Sequence, residues 1–392
     1  MTSCPIQLQA AATYNPRVPH EVFASLRRTS PIFWHEPDDG TPGFWVILKY
    51  KDIVEISTNA TLYSSARGVF YNDIASGQGV PGALLTMDPP KHTLLRNQLS
   101  EWFTANAMGR LEPWLRKEAK AIMAYAASRG DCEFVYDMAA KLPLLTICEF
   151  MGVPEGDHAK ILDYSDEVMK STSDVDFAVA MQKIGGYGLE LAASAEDGGN
   201  DLVAAKLRSL THEGSVPEAE FANQFAQLIV AGNETTRTLL SNIMLELCAR
   251  PELYRAMQAE PSIVPQAIEE FLRWTTPIYS FRRTATAETE LGGHRIEAGQ
   301  SVMMYYVSAN RDEDIFKDPD TLDITRKPNR HLSFGVGRHS CLGAQVARLE
   351  TRIFLEEFLT SFGPPELAGL PERFPSNSVN SWQKIPIRLT AI

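Results

Sequence analysis

Residues 334–343 read FGVGRHSCLG, with a histidine and a cysteine among three glycines. A plain connection needs one glycine, perhaps two, so Gly335, Gly337 and Gly343 imply a bulky object lying against this backbone. A helical pattern, LGAQVARLETRIFLEEFL, follows at once and puts Cys341 at a positive helix end. Exposed N–H groups and the helix dipole there favour thiolate over thiol. A thiolate with room for a flat partner suggests a soft metal ligand. Zinc is the competing metal, through His331, His339 and Cys341, but no CxxC or HxxxH spacing supports it. Gly335-Val336-Gly337 begins like a phosphate loop, and Ser340 then breaks the GxGxxG pattern.

Three other groupings could do chemistry. Ala231-Gly232-Asn233-Glu234-Thr235-Thr236 sits mid-helix, where a glycine, an acid and two hydroxyls are poor choices for plain packing. His92 and Arg96 fall four apart on one helix face after Pro89-Pro90, an arrangement suited to an anion, although a solvated face has the same pattern. Glu270 and Arg273 are an i, i+3 acid–base pair, which by itself is usually a surface bridge.

The elements that must position these residues are mostly helical. Apolar residues recur every three or four over 107–129, with Gly130 as a stop. A long helix opens near Ser215 and Glu218, at capping-box spacing with Pro217 in its first turn, and meets no breaker until Pro251. Its length is roughly 50 Å, and apolar residues on nearly all sides suit a helix threaded through the core. Strand signals are few: 43–50, 301–309, the tail 384–392, and a hairpin about Gly292-Gly293. Residues 196–201, EDGGND, mark an exposed loop.

Bulk properties bound the function. The 392 residues are 44% hydrophobic, enough for a large core, and no repeat or composition shift divides them. A net charge of −12 argues against a nucleic-acid partner. No run approaches the roughly 18 apolar residues of a membrane span. The N-terminus carries no evident signal peptide, and Cys4, Cys132, Cys148, Cys248 and Cys341 are far apart and odd in number, as for reduced thiols in the cytoplasm.

Together these segments resemble bacterial cytochromes P-450, the haem-thiolate monooxygenases, in the family's order from about residue 85 onward. The resemblance implies a mostly α fold with a small β region, one domain over 1–392, and a long central helix over a haem b. Cys341 would then be the proximal iron ligand and Phe334 would pack beside its sulfur, while the glycines, Gly343 among them, would let the backbone approach the porphyrin. His92, Arg96, Arg283 and His339 would hold the propionates. Glu270, Arg273 and Arg326 would brace the chain beneath the cysteine loop. Ala231-Gly232 would let the helix bend open for dioxygen, with Thr235 hydrogen-bonding the oxygen and Glu234 feeding protons through water.

The implied reaction inserts one oxygen atom of O₂ into a C–H bond and reduces the other to water with two electrons and two protons. A peroxide-driven peroxygenase of the same fold is the first rival, and Glu234-Thr235 argues against it. A haem protein that binds a ligand without turnover is the second, and would need no proton relay. No flavin or iron–sulfur motif is present, so electrons would come from an acidic ferredoxin with its reductase, docking on Arg110, Arg116, Lys117, Arg330 and Arg338. The expected protein is a monomer.

Substrate contacts follow from the same resemblance. The loop before His92 would offer Val69, Phe70 and Ile74, and the long helix Gln227, Leu228 and Ala231. The stretch after Arg273 would add Ile278, Tyr279 and Phe281, and the C-terminal turn Val379 and Asn380. Arg67 is a candidate for a substrate carboxylate. Such a lining suits a mainly hydrophobic molecule, a terpenoid first, then a fatty acid or steroid.

Overall fold

The computed structural model describes residues 5–170, 174–194, 208, 209, 211 and 216–392. The helices are α1 (His20–Thr29), α2 (Tyr50–Thr58), α3 (Asp73–Ser76), α4 (Lys91–Leu99), α5 (Ala105–Arg129), α6 (Lys141–Met151), α7 (His158–Lys170) and α8 (Asp174–Ser194). After these come α9 (Glu218–Ala249), α10 (Pro251–Ala259), α11 (Val264–Thr275), α12 (Tyr306–Ala309) and α13 (Ala344–Ser361). The fold is mostly α with small sheets, as the sequence led one to expect. No helix among the described residues is long and apolar enough to cross a membrane.

The periodic segment near 107–129 is α5, started by the Thr104 hydroxyl accepting from the Ala107 N–H at 3.3 Å and stopped at Gly130, whose φ is 74°. The long helix is α9, 32 residues and hence about 48 Å. It packs against α8, α6 and α11, which explains its all-round apolar character. It begins at Glu218 after Pro217, with no side-chain cap; Ser215, the expected cap, lies outside the described residues, as do Cys4 and the 196–201 loop. Helix α9 is continuous at Ala231-Gly232, and Gly232 makes room for Ile147 of α6, whose side chain a Cβ would approach to 2.8 Å.

The largest sheet has the order β1 (Ile32–His35), β2 (Phe44–Ile47), β8 (Ser301–Tyr305), β5 (Ser280–Ala285) and β3 (Tyr63–Ser64). Only β2 and β8 run parallel within it. The run 301–309 divides: β8 ends at Tyr305 and α12 begins, so the alternation stops where the chain must turn under the sheet. The Gly292-Gly293 hairpin joins β6 (Thr289–Leu291) to β7 (His294–Ile296), both glycines at positive φ. The tail forms two short strands, Trp382–Lys384 and Pro386–Arg388, rather than one. The first pairs with Glu372–Arg373 and the second with β4 (Asp131–Glu133).

Candidate active site

The cysteine loop crosses from the end of a long meander into α13. The Cys341 N–H donates to the Phe334 carbonyl at 2.7 Å, and Gly335 and Gly337 take φ of 65° and 76°. Only part of the glycine argument survives. A Cβ on Gly337 would lie 2.4 Å from the Ser57 carbonyl oxygen, so this glycine lets α2 approach the loop. A Cβ on Gly343 would meet nothing within 4 Å. The Phe334 ring lies beneath Arg348, with the guanidinium carbon 4.6 Å from its centroid. Arg348 in turn forks onto Glu269 of α11 at 2.7 and 2.8 Å, and His331 adds a third bond at 3.1 Å. Against the upward push of burial, Arg348 and His331 hold the Glu269 carboxyl down at about 2. The sequence reading missed this clamp; Glu269 stands next to Glu270, and only the fold says which faces the loop.

Beneath the loop, Glu270 and Arg273 are fully buried. Arg273 makes a two-pronged bond to Glu270 at 2.7 and 2.8 Å and donates to the carbonyls of Asn310, Pro319 and Thr321. Arg326 donates to Glu270 at 3.1 Å and to Lys317, Asp318 and Thr321 carbonyls. Asn329 and the Asp323 N–H fill the remaining lone pairs of Glu270. The i, i+3 pair is thus no surface bridge, and it gathers residues 310–329 around one carboxylate.

The other charges face a cavity of 930 Å³. His92, Arg96, Arg283, His339 and Cys341 all line it. His92 is 1% exposed, and neither of its ring nitrogens has a partner. Its ring centroid lies 4.2 Å from that of His339. Among the described residues, Arg96 reaches only the Ser340 hydroxyl at 3.4 Å, and Arg283 only the Arg282 carbonyl at 2.7 Å. The nearby acid Asp88 is occupied by Ser64 and by the Ser65 N–H. Burial first, then the neighbouring arginines, push His92 down to about 4 and His339 to about 2. Two arginines and two histidines around one space, with no carboxylate among them, define a receptor for a dianion.

Cys341 is exposed in area, but the area it exposes is cavity wall. Burial pushes its thiol up, although the Gly343 N–H, Arg96 and Arg348 pull the other way. The helix end therefore does not by itself make a thiolate; charge on this sulfur needs a cation opposite it. A flat iron porphyrin with two carboxylates meets each requirement: the cation on sulfur, the anions on the cluster, and the open face at Gly343. When bound, haem supplies dioxygen activation, and thiolate ligation favours O–O cleavage.

Helix α9 brings Ala231, Glu234 and Thr235 to the same cavity. The Thr235 hydroxyl donates to the Ala231 carbonyl at 3.1 Å. Glu234 is 3% exposed and already engaged: it pairs with Arg237 and accepts from Ser381 at 2.8 Å and Thr238 at 3.2 Å. Arg237 also binds Asp166 at 2.8 Å. Another acid, Glu350 of α13, faces the cavity beside the hydroxyls of Thr146 and Thr236, and burial raises it to about 8. Nothing in the sequence singled it out from an ordinary helical glutamate.

Of the expected substrate contacts, Phe70, Gln227, Leu228, Ile278, Phe281 and Val379 line the cavity. Val69, Ile74, Tyr279 and Asn380 do not. Val69 and Ile74 are buried among other side chains, and Tyr279 stacks on Tyr14 at 4.6 Å with its hydroxyl bonded to Asn380 and Arg373. Arg67 also points elsewhere, to the Gly77 carbonyl at 3.4 Å.

Buried dianion receptor, cysteine loop and helical lid define a haem-thiolate enzyme. Comparison with known proteins agrees: residues 190–367 match the model of the family described as Cytochrome P450. The chain is 36% identical to steroid C26-monooxygenase of Mycolicibacterium smegmatis, over 95% of this chain and 92% of that one. It is 30% identical to linalool 8-monooxygenase of Pseudomonas putida, covering 96% and 97%. Among solved structures, Mycobacterium marinum cytochrome P450 CYP268A2 in complex with pseudoionone superposes with a TM-score of 0.90 at 31% identity, covering 99% of each chain. The chain belongs to the cytochrome P450 family and is a monooxygenase.

Proposed function

We propose that this enzyme hydroxylates a neutral, mid-sized hydrophobic molecule, a terpenoid first and a steroid next. The observation that carries the substrate class is the charge of the cavity wall. Outside the cluster of His92, Arg96, Arg283 and His339, no cation lines it among the described residues. A buried carboxylate without a partner is costly, so a fatty acid loses ground to neutral molecules. Gln227, Asn72 and Gln78 offer amides to orient a hydroxyl or carbonyl against an otherwise apolar wall that includes Phe70, Leu228 and Phe281. The names of the relatives, which act on a steroid and on linalool, support the same class.

In this reading haem b is the cofactor, Cys341 its axial ligand, and the whole chain acts as one cytoplasmic, monomeric unit. Thr235 Oγ1, now on the Ala231 carbonyl, would donate on the haem side, and the carboxyl of Glu234 would be the acid end of the relay, with Ser381 and Thr238 as its hydroxyl neighbours. That dedicated relay favours dioxygen over peroxide as oxidant. Electrons come from a ferredoxin and its reductase. The docking charge shifts from the sequence expectation. Arg116 is committed to Glu112, Glu356 and Glu357, and Lys117 lies 3.2 Å from Glu118. Arg110, Arg330 and Arg338 make no ion pair among the described residues and remain available for steering.

Soret titrations with testosterone, linalool and hexadecanoate test the substrate class. The expected result is a low-spin to high-spin shift with testosterone or linalool and none with hexadecanoate. A shift with hexadecanoate alone contradicts it.

A further inference from the structure

We infer that Arg282 is a positioning residue for substrate selection: it pins the 67–79 segment, one wall of the substrate cavity, to the strand that presents Arg283 to the cation cluster. The inference rests on the haem-monooxygenase reading above. Side chains along β5 alternate, so Phe281 and Arg283 line the cavity and Arg282 does not. Arg282 turns to the neighbouring chain instead. Its main-chain N–H donates to the Val69 carbonyl at 2.6 Å. Its guanidinium donates to the Arg67 carbonyl, to those of Gly68 and Asp73 at 3.4 Å each, and to the Ser301 hydroxyl at 2.9 Å.

This arginine is 2% exposed and forms no ion pair among the described residues. Burial, only partly offset by the charge of Asp73, lowers its pKa to about 10. A charge in such a place is costly, and an apolar residue would seat the strand equally well. An apolar residue cannot hold carbonyls of residues 67, 68 and 73 that converge on one point. A single amino nitrogen, Nη1, meets all three, while Nε is fixed on the Ser301 hydroxyl of the neighbouring strand.

The segment is also tied by the Tyr71 hydroxyl, which donates to Asp39 at 2.7 Å, and by the packing of Tyr71 and Ile74 into the core, but it is Arg282 that joins its backbone to β5. The Asp73 carboxylate accepts the Val69 and Phe70 N–H groups at 2.7 and 2.8 Å. Gly68 takes φ of 96°, and a Cβ there would overlap Asp73 at 2.2 Å. From this segment Phe70, Asn72, Ser76 and Gln78 face the cavity, and Phe70 meets Phe281 edge-on at 5.5 Å. Releasing Arg282 therefore loosens a cavity wall without touching Cys341, His92, Arg96, Arg283 or His339.

The test uses haem-loaded wild type, Arg282→Met and Arg282→Lys, titrated with imidazole and with 1-dodecylimidazole. Imidazole needs only the iron, whereas the dodecyl tail samples the wall, so the ratio of the two Kd values isolates the wall. In the Met variant imidazole should bind as in wild type, while the affinity gain from the tail falls about tenfold, a change of about 1.4 kcal/mol. The Lys variant should recover part of that gain. An unchanged tail gain in the Met variant overturns the proposal. Equal loss of haem or of imidazole binding in both variants makes Arg282 a fold residue only, and overturns it too. No Soret response of wild type to imidazole would instead fail the haem reading, and this proposal with it. Should the Met variant not accumulate, hydrogen exchange of residues 67–79 in the Lys variant decides: faster exchange there alone supports the role, and unchanged exchange refutes it.

Discussion

Two buried clusters of charge lie on either side of the cysteine loop, and they are opposites. Around Glu270, Arg273 and Arg326, the charged groups find their partners inside the protein. Around His92, Arg96, Arg283 and His339, the groups face a cavity, and neither ring nitrogen of His92 has a hydrogen-bond partner among the described residues. His92 and Arg283 are nearly as buried as Glu270 and Arg273, so burial does not separate architecture from binding. Satisfaction does: a closed network holds the fold, and an open one of a single sign waits for a ligand of the other.

The sharpest break of this contrast is in the closed cluster. Glu270→Ala leaves Arg273 and Arg326 buried against nothing, which should cost about 3–5 kcal/mol and remove most haem-loaded protein. Thermal unfolding and haem content per chain check it; a variant as stable as wild type would mean the network is not structural.

Glu350 is an intermediate case, a lone acid on the cavity wall with hydroxyls but no cation. Its folded pKa of about 8 exceeds the ordinary 4.5, so the folded state keeps a proton that the unfolded state releases between those values. Stability therefore falls as pH rises through that window, by about 1.4 kcal/mol per unit. Glu350→Gln removes the penalty: its stabilisation should be near zero below pH 4.5 and reach about 3 kcal/mol at pH 7. Denaturant melts at pH 5 and pH 7 check the sign; equal effects at both would show that Glu350 ionises normally.

The open cluster should respond in the opposite sense to the closed one. His92→Leu removes an unpartnered buried ring, so the haem-free chain should gain about 1 kcal/mol, while haem affinity falls roughly tenfold or more. Paired melts and haem-transfer rates measure both. Loss of stability without loss of haem affinity would place His92 with the architecture.

Much of this was legible in the sequence because it depends on spacing along one element. His92 and Arg96, Glu270 and Arg273, and the loop of Cys341 share a helix turn or ten residues, and local geometry brings them together. What the sequence hid is direction and distant company. Phe70 and Val69, or Ile278 and Tyr279, are neighbours of similar character, and only packing decides which of each pair faces the cavity. Glu234 reads as a proton donor, but its partners Asp166, through Arg237, and Ser381 come from far along the chain. Gly337 reads as room for a cofactor and is used by the backbone of Ser57. A residue's chemistry is local, whereas its partners are a property of the fold.

The claim that the open cluster is a receptor for the two carboxylates of a porphyrin has a direct measurement. The chain, produced in haem-deficient cells, is titrated with haem and with haem dimethyl ester, which has the same iron and ring but no free carboxylates. Two or more charge-assisted bonds, at about 1.5–3 kcal/mol each, predict that the ester binds at least a hundredfold more weakly. Equal affinity for haem and its diester would contradict the account, because the two arginines and two histidines would then have no anion to hold.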